Sequence, residues 1–276
     1  MQNPFSISVS EVIKSPSNPR IKELVRLRNS PRTRTERGLF VAQGMDELEI
    51  LFHADKEVKE IFYCEEKINN IAHMEQLERW KEKKVPLQKL EIDAFEKASY
   101  GNNPDGVVAV FKKWSLDLPS SYTRKSDVIV VLDEVEKPGN LGAVLRTAEA
   151  FGAEIVLLSE PSVDFFNPNV VRSSRGLMAK IPVFSGTKKM VFDWLIEKEF
   201  ILVGTSSKSQ KSIYEKPCRI GTAFVVGSEK TGLGSFWKSK ISNWMKIPLL
   251  GEASSINLNA SVACLLAEFN RSTSRC

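Results

Sequence analysis

The run Val128-Ile-Val-Val-Leu132 constrains this chain more than any other feature. Five consecutive apolar residues offer water no polar side, so as a strand they must be covered on both faces. Further strands are predicted at 155–158, 181–184, 200–204, 223–227 and 244–249. Between them the apolar spacing turns helical, over 141–151, 189–199 and 258–269, with Gly152 placed as a C-terminal cap. Strands of this kind alternating with helices predict an α/β fold, a mostly parallel sheet with helices on both faces.

The chain has 276 residues, and at about 150 residues per domain it has room for two. Ahead of the first buried run, Asn18-Pro19 reads as a helix entry. Ile21, Leu24, Val25 and Leu27 make an apolar stripe, broken at Asn29-Ser30-Pro31 and followed by a charged loop. A helix is predicted over 45–54, a strand over 58–64, a polar helix over 68–84 and a strand over 85–90. A short helix at 93–99 and a strand at 107–111 complete a small α/β domain over 1–114. Pro119-Ser120-Ser121 and Arg124-Lys125 mark a linker over 115–126, leaving a second domain at 127–276.

Composition, 42% hydrophobic and 26% charged, excludes a disordered chain. No apolar stretch approaches the roughly 20 residues of a membrane helix, and the start lacks a secretory pattern. The four cysteines, Cys64, Cys218, Cys264 and Cys276, are too scattered for a CxxC metal site or a disulfide framework. A cytoplasmic address with no metal is therefore expected. Net charge is only +5, but its distribution is uneven. Arg20, Lys22, Arg26, Arg28, Arg32, Arg34 and Arg37 face only Glu23 and Glu36 within one segment. Such an excess can neutralise phosphates; a solvated helix face would show the same count.

Ligands of open α/β sheets gather at the carboxyl ends of the strands, and three polar clusters fall there. In the first, 133–146, Asn140 is a natural N-cap and Arg146 lies six residues on, facing either the cleft or a neighbouring carboxylate. The second, Gly227-Ser-Glu-Lys-Thr-Gly-Leu-Gly234, fails both nucleotide fingerprints. Position 237 is Trp where a dinucleotide motif needs glycine, and Glu229 precedes Lys230-Thr231 where a P-loop needs glycine. A tight loop remains, whose bare backbone can approach a ligand or simply turn. The third, 247–261, sets small residues before an apolar helix that Ser255 or Asn257 can cap.

Taken in order, the clusters resemble the three motifs of the SpoU family (TrmH-like), RNA ribose methyltransferases of the SPOUT superfamily. The first motif is similar to Asn140-Leu-Gly142 through Arg146-Thr-Ala148 to Phe151-Gly152. The second is similar to Gly227-Ser-Glu229-Lys-Thr-Gly232, and the third to Ile247-Pro-Leu-Leu-Gly251 through Ser255-Ile256-Asn257. Gly38-Leu-Phe-Val-Ala-Gln-Gly44 resembles the start of that family's substrate-binding domain, so nearly the whole chain is covered. Leu249 and Ile256 depart conservatively. Asn259 stands where a small hydroxyl residue is common, and Gln43 where a glutamate is frequent.

The resemblance implies a SPOUT-type C-terminal domain with a deep trefoil knot, after a small α/β substrate-binding domain. It implies S-adenosylmethionine as cofactor, with Thr205, Gly227, Ile247 and Ile256 as contacts. It assigns catalysis to Asn140, Arg146, Glu229, Ser255 and Asn257, and it implies a homodimer through the C-terminal domain. The partner it implies is ribosomal or transfer RNA, for which Arg26, Arg28, Arg32 and Arg34 are the candidate contacts. A guanidinium does not deprotonate in proteins, so Arg146 is expected to hold phosphate and developing alkoxide charge rather than act as a base. A non-catalytic RNA-binding or ribosome-assembly protein and a SPOUT base methyltransferase are the competing readings.

Overall fold

A computed structural model describes residues 11–101, 105–122, 128–215, 221–228 and 231–273. It divides into two compact units. The first runs through Trp114 and also takes Phe166–Ala179; the second holds Ser115–Phe165 and the chain from Lys180 onward.

In the first unit, Asn18 caps α1 (Pro19–Asn29) by accepting from the Arg20 N–H at 2.9 Å. Ser30 ends α1 and, accepting from the Thr33 N–H at 3.1 Å, starts α2 (Pro31–Arg37). The charged loop expected here is therefore a helix. Ser-Pro is a stop signal for one helix and a cap with proline at the first turn for the next. Then come β1 (Leu39–Gln43), α3 (Met45–His53), β2 (Val58–Tyr63) and α4 (Ile71–Glu82). The run closes with β3 (Leu87–Lys89), α5 (Ile92–Ala98) and β4 (Val107–Lys112). The sheet order is β1-β4-β2-β3, with β4 antiparallel to both neighbours and β2 parallel to β3. Ile21, Leu24 and Leu27 of α1 pack with Val41, Phe62, Phe95 and Val108 in its core. The segment Phe166–Ala179, which the sequence division left in the second domain, belongs here. Phe166 lies 5.1 Å from the Phe40 ring and 4.8 Å from Trp114, and α7 (Pro168–Ser173) follows it.

The second unit opens with β5 (Val128–Asp133), α6 (Pro138–Ala150), β6 (Val156–Ser159) and β7 (Val183–Gly186). It continues through α8 (Lys188–Glu197), β8 (Ile201–Thr205), β9 (Thr222–Val226) and α9 (Ser235–Lys240). It ends with β10 (Asn243–Met245) and α10 (Leu258–Ser272). The six strands run β10-β8-β9-β5-β6-β7, every pairing parallel. Ile129 and Val131 face a core shared with Trp194, Leu195 and Trp237. On α10, Phe269 meets Phe224 of β9 edge-on at 6.4 Å. From β5 the chain steps outward to β6 and β7, then returns to build the other side, so the winding reverses between β5 and β9. A crevice at the carboxyl ends is expected at such a reversal.

Asn140 is not the N-cap. Helix α6 starts at Pro138 with Lys137 as cap, because proline at the first position begins the helix two residues early. The stretch read as a linker lies against the second unit as far as Tyr122. Leu116 O accepts from Ser185 N at 2.7 Å, and Pro119 O from the Trp194 indole at 3.0 Å. Among the described residues no helix is long and apolar enough to cross a membrane.

Candidate active site

The glycine loop after β9 turns back on itself. Ser228 O accepts from Gly232 N at 2.9 Å, and the Ser228 and Thr231 hydroxyls lie 2.8 Å apart. A Cβ on Gly227 would sit 2.2 Å from the Gly232 carbonyl carbon, so only glycine fits under the returning backbone. Gly232 itself has φ +63°. Glu229 lies outside the described residues.

Beside this loop, at the carboxyl ends of β8 and β9, opens a cavity of about 470 Å³. Thr205, Gly227, Ile247, Ser255 and Ile256, from four separate stretches of chain, all line it. Val226, Leu233, Trp244 and Leu258 add apolar wall; Ser206, Ser228 and Ser261 add hydroxyls. The volume falls within the range that encloses small ligands. An apolar wall suits a purine, and the hydroxyls suit a sugar or an amino-acid end. Lys208 and Lys238 also line the cavity. Sequence reasoning missed both, because an exposed lysine on a loop or a short helix carries no pattern of its own.

Among the described lining residues, Asn140, Arg146 and Asn257 do not occur. They sit where α6 meets the start of α10. Asn257 caps α10, accepting from the Asn259 N–H at 2.8 Å, while its Nδ2 donates to Asn140 Oδ1 at 3.4 Å. One residue beyond Arg146, the Thr147 hydroxyl donates to Asn259 Oδ1 at 2.7 Å. Arg146 is exposed and makes no ion pair or hydrogen bond among the described residues. A guanidinium with no partner among the described residues can take an anion. At the end of β5, Asp133 is buried and accepts from the Ser159 hydroxyl at 2.8 Å. Burial pushes its carboxyl above the ordinary range.

In the first unit the basic segment is corrected in part. Arg34 is only 1% exposed, and its guanidinium donates to Leu27 O and Arg28 O at 2.6 and 2.9 Å, capping α1. Arg28 donates to the carbonyls of Lys97, Ala98 and Ser99 at the end of α5. These two arginines hold helix ends. Arg26 and Arg32 remain exposed, the first 3.6 Å from Glu23 and the second 2.7 Å from Glu36.

Comparison with known proteins agrees with this layout. The family model described as SpoU rRNA Methylase family matches residues 127–267, and an MRM3-like substrate binding domain matches 18–109. The 23S rRNA (guanosine(2553)-2′-O)-methyltransferase RlmP of Bacillus subtilis is 26% identical over 92% of this chain and 97% of its own. The 23S rRNA (uridine(2479)-2′-O)-methyltransferase of Streptomyces viridochromogenes is 26% identical over 90% and 88%. A crystal structure of an RNA 2′-O ribose methyltransferase matches with TM-score 0.85 at 31% identity, over 96% of this chain and all of that one. The SpoU methyltransferase AviRb from Streptomyces viridochromogenes, in complex with AdoMet, has the same fold, with TM-score 0.83 over 94% of this chain.

The SpoU rRNA Methylase match over residues 127–267, beside a substrate-binding module over 18–109, places this parallel α/β domain and its strand-end cavity among the RNA-modifying methyltransferases. The chain belongs to the SpoU rRNA Methylase family.

Proposed function

We propose that this chain transfers a methyl group from S-adenosylmethionine to a ribose 2′-hydroxyl of ribosomal RNA. The observation that carries the reading is the convergence of Thr205, Gly227, Ile247, Ser255 and Ile256 on one cavity at the strand ends. When bound there, S-adenosylmethionine supplies an electrophilic methyl group on a sulfonium. Bare backbone at Gly227 lets the ligand approach closely, and Ile247 and Ile256 close the apolar wall against water. Arg146 would bind the phosphate of the target nucleotide and stabilise negative charge on the 2′-oxygen as its proton passes to solvent. Asn140, Ser255 and Asn257 would hold the loops and the ribose, and Glu229 belongs to the same set. Arg26 and Arg32 would contact RNA phosphates.

The reading extends to the trefoil knot, with α10 threaded through a loop, to a homodimer formed through the second domain and to a cytoplasmic place of work. The test is Arg146→Ala. Donor affinity should stay within about twofold while methyl transfer falls by about 10²-fold or more. Nucleoside analysis of the wild-type product should find the label on a 2′-oxygen. Full turnover by the variant, or label on a base, would overturn the assignment.

A further inference from the structure

Three hydrogen bonds join four residues of α6 and the start of α10 next to Arg146 in the chain. Starting on α6, Asn140 Oδ1 accepts from Asn257 Nδ2 at 3.4 Å. Asn257 Oδ1 accepts from the Asn259 N–H at 2.8 Å, and Asn259 Oδ1 accepts from the Thr147 hydroxyl at 2.7 Å, back on α6. Asn140 and Thr147 are seven residues apart, so they drift only about 20° around the helix and share one stripe. The start of α10 therefore grips α6 at two points, one at its first turn and one two turns on. Arg146 is covalently next to the second point and has no partner of its own among the described residues.

We infer that Thr147 and Asn259 are a positioning pair that fixes the bearing of Arg146 toward the reacting ribose. The inference rests on the transfer reaction proposed above. A long guanidinium held by none of the described residues can point reliably only if the helix carrying it cannot roll, and misplacement of about 1 Å can cost as much as 10²-fold in rate. The pair meets that need from the seam between α6 and α10. Asn259 has the reach to do it, because its amide oxygen extends across the gap to the Thr147 hydroxyl while its N–H stays on the Asn257 cap.

Thr147→Val removes the hydroxyl and keeps the shape. The expected result is a kcat lower by about tenfold, with donor affinity and thermal midpoint unchanged. Thr147→Ser should restore kcat to within about twofold, and Asn259→Ala should reproduce the valine variant with no further loss in the double variant. In an Arg146→Lys background, Thr147→Val should cost less than about twofold more, because the residue it positions is already gone. Full turnover by Thr147→Val, or the same tenfold loss in the lysine background, overturns the pair and leaves the transfer reading intact. A wild-type protein that methylates no RNA in the same assay overturns the transfer reading and the pair with it.

Discussion

Gln43, at the end of β1, hydrogen-bonds in both directions to one residue. Its Nε2 donates to Tyr100 O at 2.9 Å, and its Oε1 accepts from Tyr100 N at 2.8 Å. A neutral amide can do this and an ionised carboxylate cannot, since it has no proton for the carbonyl. That settles the structural task of a position where the resemblance favours glutamate. Gln43→Glu should destabilise the protein by about 1–3 kcal/mol, read as a lower urea midpoint at neutral pH. Cys64 carries a second consequence of burial at this scale. Its thiol is pushed up to about 11, first by burial and then by its hydrogen bond to Glu66, so it stays protonated at neutral pH.

At the scale of elements, helix ends decide what the basic segment does. Arg34 and Arg28 satisfy carbonyls that α1 and α5 would otherwise leave open, and cations favour that end of a helix. Arg26 and Arg32 face water with carboxylates of their own helices. The two groups should therefore separate by experiment. Arg34→Ala should lower stability by about 1–3 kcal/mol through the unpaired carbonyls of Leu27 and Arg28. The double change Arg26→Ala and Arg32→Ala should leave the melting midpoint near wild type. It should also reduce the dependence of log affinity for RNA on log salt by about 0.7–0.9 for each phosphate no longer neutralised. Counting charges in the sequence cannot distinguish these groups, because a capping arginine and a free one look alike until the chain has folded back on them. The same limit explains α2, where Ser30-Pro31 reads as a stop and is also a start.

For the whole molecule, the cavity links stability to its ligand. Saturating S-adenosylmethionine, at about a hundred times its Kd, should add about 2.7 kcal/mol to unfolding. Thermal denaturation with increasing donor measures it, and Gly227→Ala should abolish the shift, since its Cβ meets the Gly232 backbone at 2.2 Å. The parallel sheet was legible in the sequence because continuous apolar strands such as 128–132 tolerate no exposed face. So were the three polar clusters and a cap at Ser255 or Asn257, which the structure gives to Asn257, because residue types and spacing are local properties of the chain. The sheet order β10-β8-β9-β5-β6-β7 and the meeting of 205, 227, 247 and 255–256 on one cavity wall were decided by the tertiary structure alone. So was the transfer of Phe166–Ala179 to the first unit. Hydrophobic period and capping act over a few residues and can be read along the chain. Contact between residues tens of positions apart depends on which faces bury each other, and that is settled only when the elements pack.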